Sequence, residues 1–248
     1  MTETNDLTGK VILVNGASRG IGYQAALEAG RRGAHVIAVA RTVGGLEDLD
    51  DAIKAAGGST TLVPLDLRDF DGIDRLGLSI FERWGHLDGL VGNAGIVGTL
   101  SPVGHIEPKD FDSALALNVT ANFRLIRSVD LLLRQAEAGR AVFISSGIVS
   151  ASVPYFGTYT ATKMALDGLV RVYAAEMANT KVRINTFNPG PLRTALRAKA
   201  IPGEDPTTLA PPSVVAPKIV DMVSPGWTEN GMLFDYETGK LRPIATLP

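Results

Sequence analysis

The sequence contains no cysteine, which excludes disulfides, thiolate metal sites and cysteine nucleophiles. Its three histidines, His35, His86 and His105, are too scattered to form a ligand pair such as H-x-x-x-H, so no metal centre is expected. It has no run of about 18 apolar residues, the length a membrane-spanning helix requires. The segment from Met1 to Lys10 is polar and acidic, without the apolar stretch of a signal peptide, and a cytoplasmic location is expected. Net charge is also nearly absent, at −2, leaving no clustered positive footprint for a nucleic-acid backbone. What remains is a chain of 248 residues, 45% hydrophobic and 20% charged, able to bury a substantial core.

Short apolar runs alternate with longer amphipathic stretches. Val11–Asn15, His35–Ala40, Thr60–Leu65, Leu87–Val91, Ala141–Ser145 and Val182–Phe187 read as strands, and Met232–Tyr236 reads as a last one. Most lack polar alternation, as strands do when both faces of a parallel sheet are covered. Helical patterns lie between them at Gly20–Arg32, Leu46–Ala56, Phe70–Trp84, Pro108–Ala136 and Tyr159–Ala178, with a short helix near Pro217–Val223. The alternation predicts an α/β fold, a doubly wound parallel sheet with helices on both faces, in a single domain over residues 1–248. Asn188 to Pro217 breaks the pattern with seven prolines, and a substrate lid is expected at about 191–216.

The first strand runs into Asn15-Gly16-Ala17-Ser18-Arg19-Gly20-Ile21-Gly22, and a helix follows. Glycine permits a sharp turn and close approach to a pyrophosphate, while the helix N-terminus offers unpaired N–H groups. The spacing is G-x-x-x-G-x-G and predicts a dinucleotide site. A site for NAD(H) carries an acid at the end of the second strand, to bind the ribose 2′-hydroxyl. Here Ala40 and Arg41 stand at that place, with Arg19 in the turn, which favours the 2′-phosphate of NADP(H) over NAD(H). The alternative for both arginines is ordinary solvation. Asp66, after the third strand, either meets the adenine amino group or caps the next helix.

Ser145-Ser146 ends the fifth strand, and Tyr159 and Lys163 stand at i, i+4, on one face of a helix. Free tyrosine titrates near ~10, too high for proton transfer at neutral pH. A neighbouring ammonium and the positive nicotinamide ring favour tyrosinate, which fits Tyr159 to exchange a proton with a carbonyl or alcohol oxygen. Ser146 is placed to hydrogen-bond the same oxygen.

Taken in order, these residues resemble the compact short-chain dehydrogenase/reductase family over almost the whole chain. Gly16, Gly20 and Gly22 match its nucleotide motif, and Asn93-Ala94-Gly95 its motif after the fourth strand. Asn118, Ser146, Tyr159 and Lys163 match its catalytic tetrad, with 13 residues from serine to tyrosine. Asn188-Pro189-Gly190 with Thr194 matches the segment that contacts the nicotinamide carboxamide. The resemblance implies a seven-stranded Rossmann sheet, transfer of the pro-S hydride, and a homodimer or homotetramer built on the long helices. It also implies that Asn118 holds a proton-relay water and that Lys163 binds the nicotinamide ribose. The cofactor contacts it implies are Gly16, Ser18, Arg19, Gly20, Ile21, Gly22, Arg41, Asp66, Leu67, Asn93, Ala94, Gly95, Tyr159, Lys163, Pro189, Gly190, Leu192 and Thr194. The 188–217 stretch looks like that of a proteobacterial branch of uncharacterised oxidoreductases.

Two positions depart from the family. Asn15 replaces a threonine before the first glycine, and Gly92 replaces an asparagine before Asn93. A size exchange is expected, in which the Asn15 amide fills space vacated at Gly92 and bonds the 92–95 loop. The substrate wall is expected from Ile96, Gly147, Ile148, Val153, Tyr155, Phe156, Pro191 and Leu192, which suits an apolar ketone, aldehyde or secondary alcohol. Arg193 and Arg197 are the candidates for a carboxylate or phosphate on that substrate. The competing readings are a dinucleotide-binding sensor without turnover, or an enoyl reductase or sugar-nucleotide epimerase on the same fold. The last two fit the tyrosine-to-lysine spacing and chain length poorly.

Overall fold

The computed structural model describes residues 6–244. Strands β1 (Val11–Asn15), β2 (His35–Ala40), β3 (Ser59–Pro64), β4 (Gly89–Gly92), β5 (Arg140–Ile144), β6 (Arg183–Asn188) and β7 (Met232–Asp235) form a parallel sheet in the order β3-β2-β1-β4-β5-β6-β7. In β1, Val11 and Leu13 enter the core on one face, while Ile12 and Val14 enter the core on the other. β5 divides in the same way, Ala141 and Phe143 against Val142 and Ile144. Burial on both faces explains the unbroken apolar runs in the sequence.

One face is covered by α1 (Gly20–Arg31), α2 (Val43–Ala55) and α8 (Ala216–Met222), through Ala25, Leu46, Leu49 and Ile219. The other is covered by α3 (Phe70–Trp84), α5 (Ala121–Gln135) and α6 (Gly157–Glu176), through Leu76, Leu125, Val129 and Leu166. α3 has the bounds the sequence predicts: Asp69 Oδ1 accepts from the Gly72 N–H at 2.9 Å, and Gly85 ends the helix at φ 72°. Two short helices, α4 (Pro108–Leu115) and α7 (Ala195–Ala200), sit in the loops at the carboxyl ends of the strands. No helix among the described residues is long and apolar enough to cross a membrane.

Three expectations change. An eighth strand, β8 (Lys240–Pro243), pairs antiparallel with β7 and extends the parallel sheet of seven. The single helix expected over Pro108–Ala136 is α4 and α5 joined by a π-helical turn at Ala116–Thr120. The space above Gly92 is filled by Phe143, its register partner on β5, and not by Asn15. A Cβ at Gly92 would overlap the edge of the Phe143 ring, which is fully buried.

Gly92→Ala should therefore cost about 1–3 kcal/mol through overpacking, lowering the melting temperature by several degrees. Thermal unfolding followed by circular dichroism tests this, and an unchanged midpoint would show that the Phe143 ring can move aside.

Candidate active site

The carboxyl ends of β1, β4, β5 and β6 open into a cavity of about 990 Å³. One end of it is built from β5 and α6. Ser146 is the second residue beyond β5, and Tyr159 and Lys163 point from the first turns of α6, which places all three on the cavity wall. The Lys163 Nζ donates to the Ile144 carbonyl at 2.7 Å and lies 5.9 Å from the centre of the Tyr159 ring. Lys163 is only 3% exposed, and burial brings its ammonium down to about 8, against the opposing charge of Asp167. Burial likewise raises the Tyr159 phenol, while a hydrogen bond with Ser146 pulls it down. The expected lowering of Tyr159 is thus not reached in the protein alone; desolvation outweighs the Ser146 hydrogen bond.

Asn118 lies behind this wall, fully buried in the π-helical turn. Its side chain accepts from the Ile96 N–H at 2.9 Å and donates to the Ile96 carbonyl at 2.8 Å and the Thr162 hydroxyl at 2.9 Å. Its own carbonyl accepts from the Asn122 amide at 2.8 Å. A π turn displaces one residue from the regular ladder, which lets Asn118 bond the 95–96 loop and α6 together. Asn122 and Thr162 were not singled out in the sequence, because an amide or hydroxyl on an amphipathic helix carries no distinguishing pattern.

The opposite end of the cavity is the glycine-rich turn. Gly16 has φ +66°, and a Cβ there would come within 2.7 Å of the Asn93 amide nitrogen; a Cβ on Gly22 would meet that nitrogen at 2.5 Å. The Asn93 amide bonds the carbonyls of Asn15 and Gly16 at 3.1 and 3.2 Å. The Asn15 Oδ1 returns the tie, accepting from the N–H groups of Asn93 at 2.7 Å and Ala94 at 2.5 Å. The expected bond between Asn15 and the 92–95 loop is present, although Asn15 does not fill the Gly92 space. α1 begins without a side-chain cap and without an acid in its first turn, so its N-terminal N–H groups remain available to a phosphate.

Ser18, Arg19, Gly20, Ile21, Arg41, Asp66, Leu67, Ala94, Gly95, Pro189, Gly190, Leu192 and Thr194 line the cavity together with Gly16 and Asn93; Gly22 stands behind the turn. Arg41 lies 3.6 Å from Asp66, whose carboxylate is held by Arg68 and brought down to about 2. The helix cap after β3 is Asp69, which removes that alternative for Asp66. Residues that present uncapped N–H groups, exposed arginines and a glycine cradle fit a dinucleotide bearing an additional phosphate.

Of the expected substrate wall, Ile96, Gly147, Ile148, Val153, Phe156, Pro191 and Leu192 line the cavity. Tyr155 does not; it is 59% exposed on a backbone with φ +72°. The 191–216 stretch is irregular as expected but contains α7, capped by the Thr194 hydroxyl accepting from the Arg197 N–H at 3.1 Å. The Arg193 N–H bonds the Ala210 carbonyl at 2.9 Å, closing the loop at its base. Arg197 is held at 2.6 Å by both oxygens of Glu204, so it stabilises this loop and is not free for a substrate anion.

The model of the short chain dehydrogenase family matches residues 10–205. The chain belongs to the short chain dehydrogenase family. The uncharacterised oxidoreductase YciK of Escherichia coli is 34% identical over 238 residues, 94% of each protein. The crystal structure of YciK superposes with a TM-score of 0.89 at 33% identity, over 95% of this chain and 99% of that one. A short chain dehydrogenase from Shigella flexneri, solved in complex with NADP, reaches a TM-score of 0.90 at 33% identity, over 94% and 99% of the two chains. The likeness to a proteobacterial branch of uncharacterised oxidoreductases is borne out by these relatives.

Asn15→Ala should strand the two N–H groups of Asn93 and Ala94, at a cost of about 1–3 kcal/mol for each left unsatisfied. The variant should melt lower and bind NADPH more weakly, while Asn15→Thr, which retains an acceptor, should do so less. Differential scanning fluorimetry with and without NADPH separates the two effects.

Proposed function

We propose that this protein is an NADP(H)-dependent oxidoreductase that interconverts an apolar ketone or aldehyde and its alcohol, with Tyr159 as acid and base. The observation that carries this reading is the shared cavity: Ser146, Tyr159 and Lys163 meet at one end and the glycine-rich turn lies at the other. The relatives solved with NADP and NADPH support the choice of coenzyme. Arg41 and Arg19 are both exposed at the cavity and would hold the 2′-phosphate, with Asp66 beside Arg41 toward the adenine. Bound NADPH supplies the hydride and, once oxidised, a positive ring.

The chain's own residues do the rest. Tyr159 gives a proton to the carbonyl oxygen in reduction and takes one from the alcohol in oxidation. Ser146 hydrogen-bonds the same oxygen and holds it beside the phenol. Lys163 contributes positive charge and would bind the nicotinamide ribose; Asn118 fixes the loop against which Lys163 packs. Residues of the 191–216 segment line the cavity, and the segment would exclude water when substrate is bound. Val97, Leu100, Ile148, Phe156, Ala200 and Ile201 cluster around Tyr159, which favours an apolar substrate body. A cytoplasmic homodimer or homotetramer is part of the same reading.

NADPH oxidation with a panel of ketones and aldehydes tests it. Tyr159→Phe should lower kcat by ~10²–10⁴ while NADPH still binds. NADPH that binds without any carbonyl-dependent turnover would favour a sensor instead. Arg41→Ala should weaken NADPH on the order of 10-fold or more and leave NADH little changed, as loss of a charge-assisted hydrogen bond requires. Equal losses for both coenzymes would rule out the assigned role of Arg41.

A further inference from the structure

One turn beyond Lys163 on α6 stands Asp167, 7% exposed, in a stretch that is otherwise Met164-Ala165-Leu166 before it and Gly168-Leu169-Val170 after. Its Oδ2 accepts from the Ser145 hydroxyl at 2.8 Å, while its Oδ1 has no hydrogen-bond partner. Ser145 is the last residue before Ser146, and its N–H bonds the Phe187 carbonyl at 2.8 Å, so Asp167 grips the end of β5 where the reactive groups are mounted. The charged groups that face Asp167 are Lys163 from its own helix and Arg242 from β8; Ser145 is its neutral partner on β5. Arg242 reaches across to the Ser150 hydroxyl at 3.4 Å and also acts on Asp235 of β7.

A buried carboxylate with one oxygen unsatisfied is costly by itself. Burial accordingly pushes Asp167 up to about 6, against the Ser145 hydrogen bond and the charges of Lys163 and Arg242. What the carboxylate supplies is negative charge near an ammonium that has lost its water: the charge of Asp167 opposes the desolvation of Lys163.

We propose that Asp167 is a positioning residue for the reaction, the buried counterion that keeps Lys163 charged and, through Lys163, makes Tyr159 acidic enough to exchange its proton. This rests on the reading of Tyr159 as acid and base. Asp167 touches neither the cavity nor a reacting atom; it works through the field at Lys163. Above its own titration Asp167 is ionised and holds Lys163 protonated. Removing its charge lets Lys163 deprotonate at lower pH, and Tyr159 then needs higher pH to act as base.

The test uses Asp167→Asn and the charge-retaining Asp167→Glu, with two readouts. The first is ¹³C NMR titration of the Lys163 side chain in the full chain, assigned with Lys163→Met, and it needs no turnover. The second is the pH profile of kcat/KM for alcohol oxidation with NADP⁺. In D167N the Lys163 midpoint should fall and the rising limb of the oxidation profile should move up, each by about one unit, as loss of a nearby opposite charge predicts. Oxidation at a fixed pH on that limb would drop about 10-fold per unit. D167E should return both midpoints toward the native values. An unmoved Lys163 midpoint overturns the proposal, and so does a moved midpoint with an unmoved or downward-shifted profile. If D167E behaves as D167N does, shape and not charge is responsible, and the proposal fails. Absence of any carbonyl or alcohol turnover would sink the reading of Tyr159 instead, while the NMR titration still decides whether Asp167 is the counterion.

Discussion

A lysine ammonium shut away from water, at 3% exposure, is the constraint around which this site is arranged. A buried cation survives only with donors satisfied and opposite charge nearby. The Ile144 carbonyl takes one donor, and Asp167 supplies the opposing charge. Each neighbour makes room for that arrangement. Gly95 lies against Lys163 where a Cβ would stand 3.6 Å from its Nζ and 3.2 Å from the Asn118 Oδ1. The π-helical turn carries Asn118 to that same loop, and the end of β5 delivers Ser146 beside it. The tyrosine one turn away is buried with the lysine, and that burial raises its phenol.

The dinucleotide end depends on a different interaction, the reciprocal tie between Asn15 and Asn93. The strand order reverses at β1 and β4, and in parallel sheets a crevice opens at the carboxyl ends of such strands. Two loops must stay together there without side-chain bulk, since the backbone itself has to approach the phosphates. Asn15 bridges them through two N–H groups, and Asn93 answers through two carbonyls. Gly92, next to this bridge, is covered by the ring of Phe143.

Much of this was legible in the sequence because burial on both faces of a strand leaves a plain mark. β1 and β2 lie where the apolar runs put them, and α3 matches because Asp69 and Gly85 punctuate its ends. What escaped notice was set by tertiary contact. The break at Ala116–Thr120 follows Asn118 bonding a distant loop, and nothing in the local periodicity announces it. β8 is four exposed residues, Lys240-Leu241-Arg242-Pro243, with no apolar face to betray a strand. The cap after β3 went to Asp69 in place of Asp66, a choice between two nearby aspartates that only the geometry makes. That Glu204 holds Arg197 leaves no mark in the sequence. Asp167 did leave a trace, a lone acid at i+4 from Lys163 among apolar residues, but such a trace reads equally as a solvated helix face.

The most direct measurement of the central claim is isotope transfer. NADPH deuterated at the pro-S position of nicotinamide C4 would be incubated with a ketone that the enzyme turns over, and the alcohol analysed by mass spectrometry. Deuterium is expected at the carbinol carbon from the pro-S label and none from the pro-R label. Label from the pro-R position would contradict the cofactor orientation, and an unlabelled alcohol from both would contradict hydride transfer from NADPH itself.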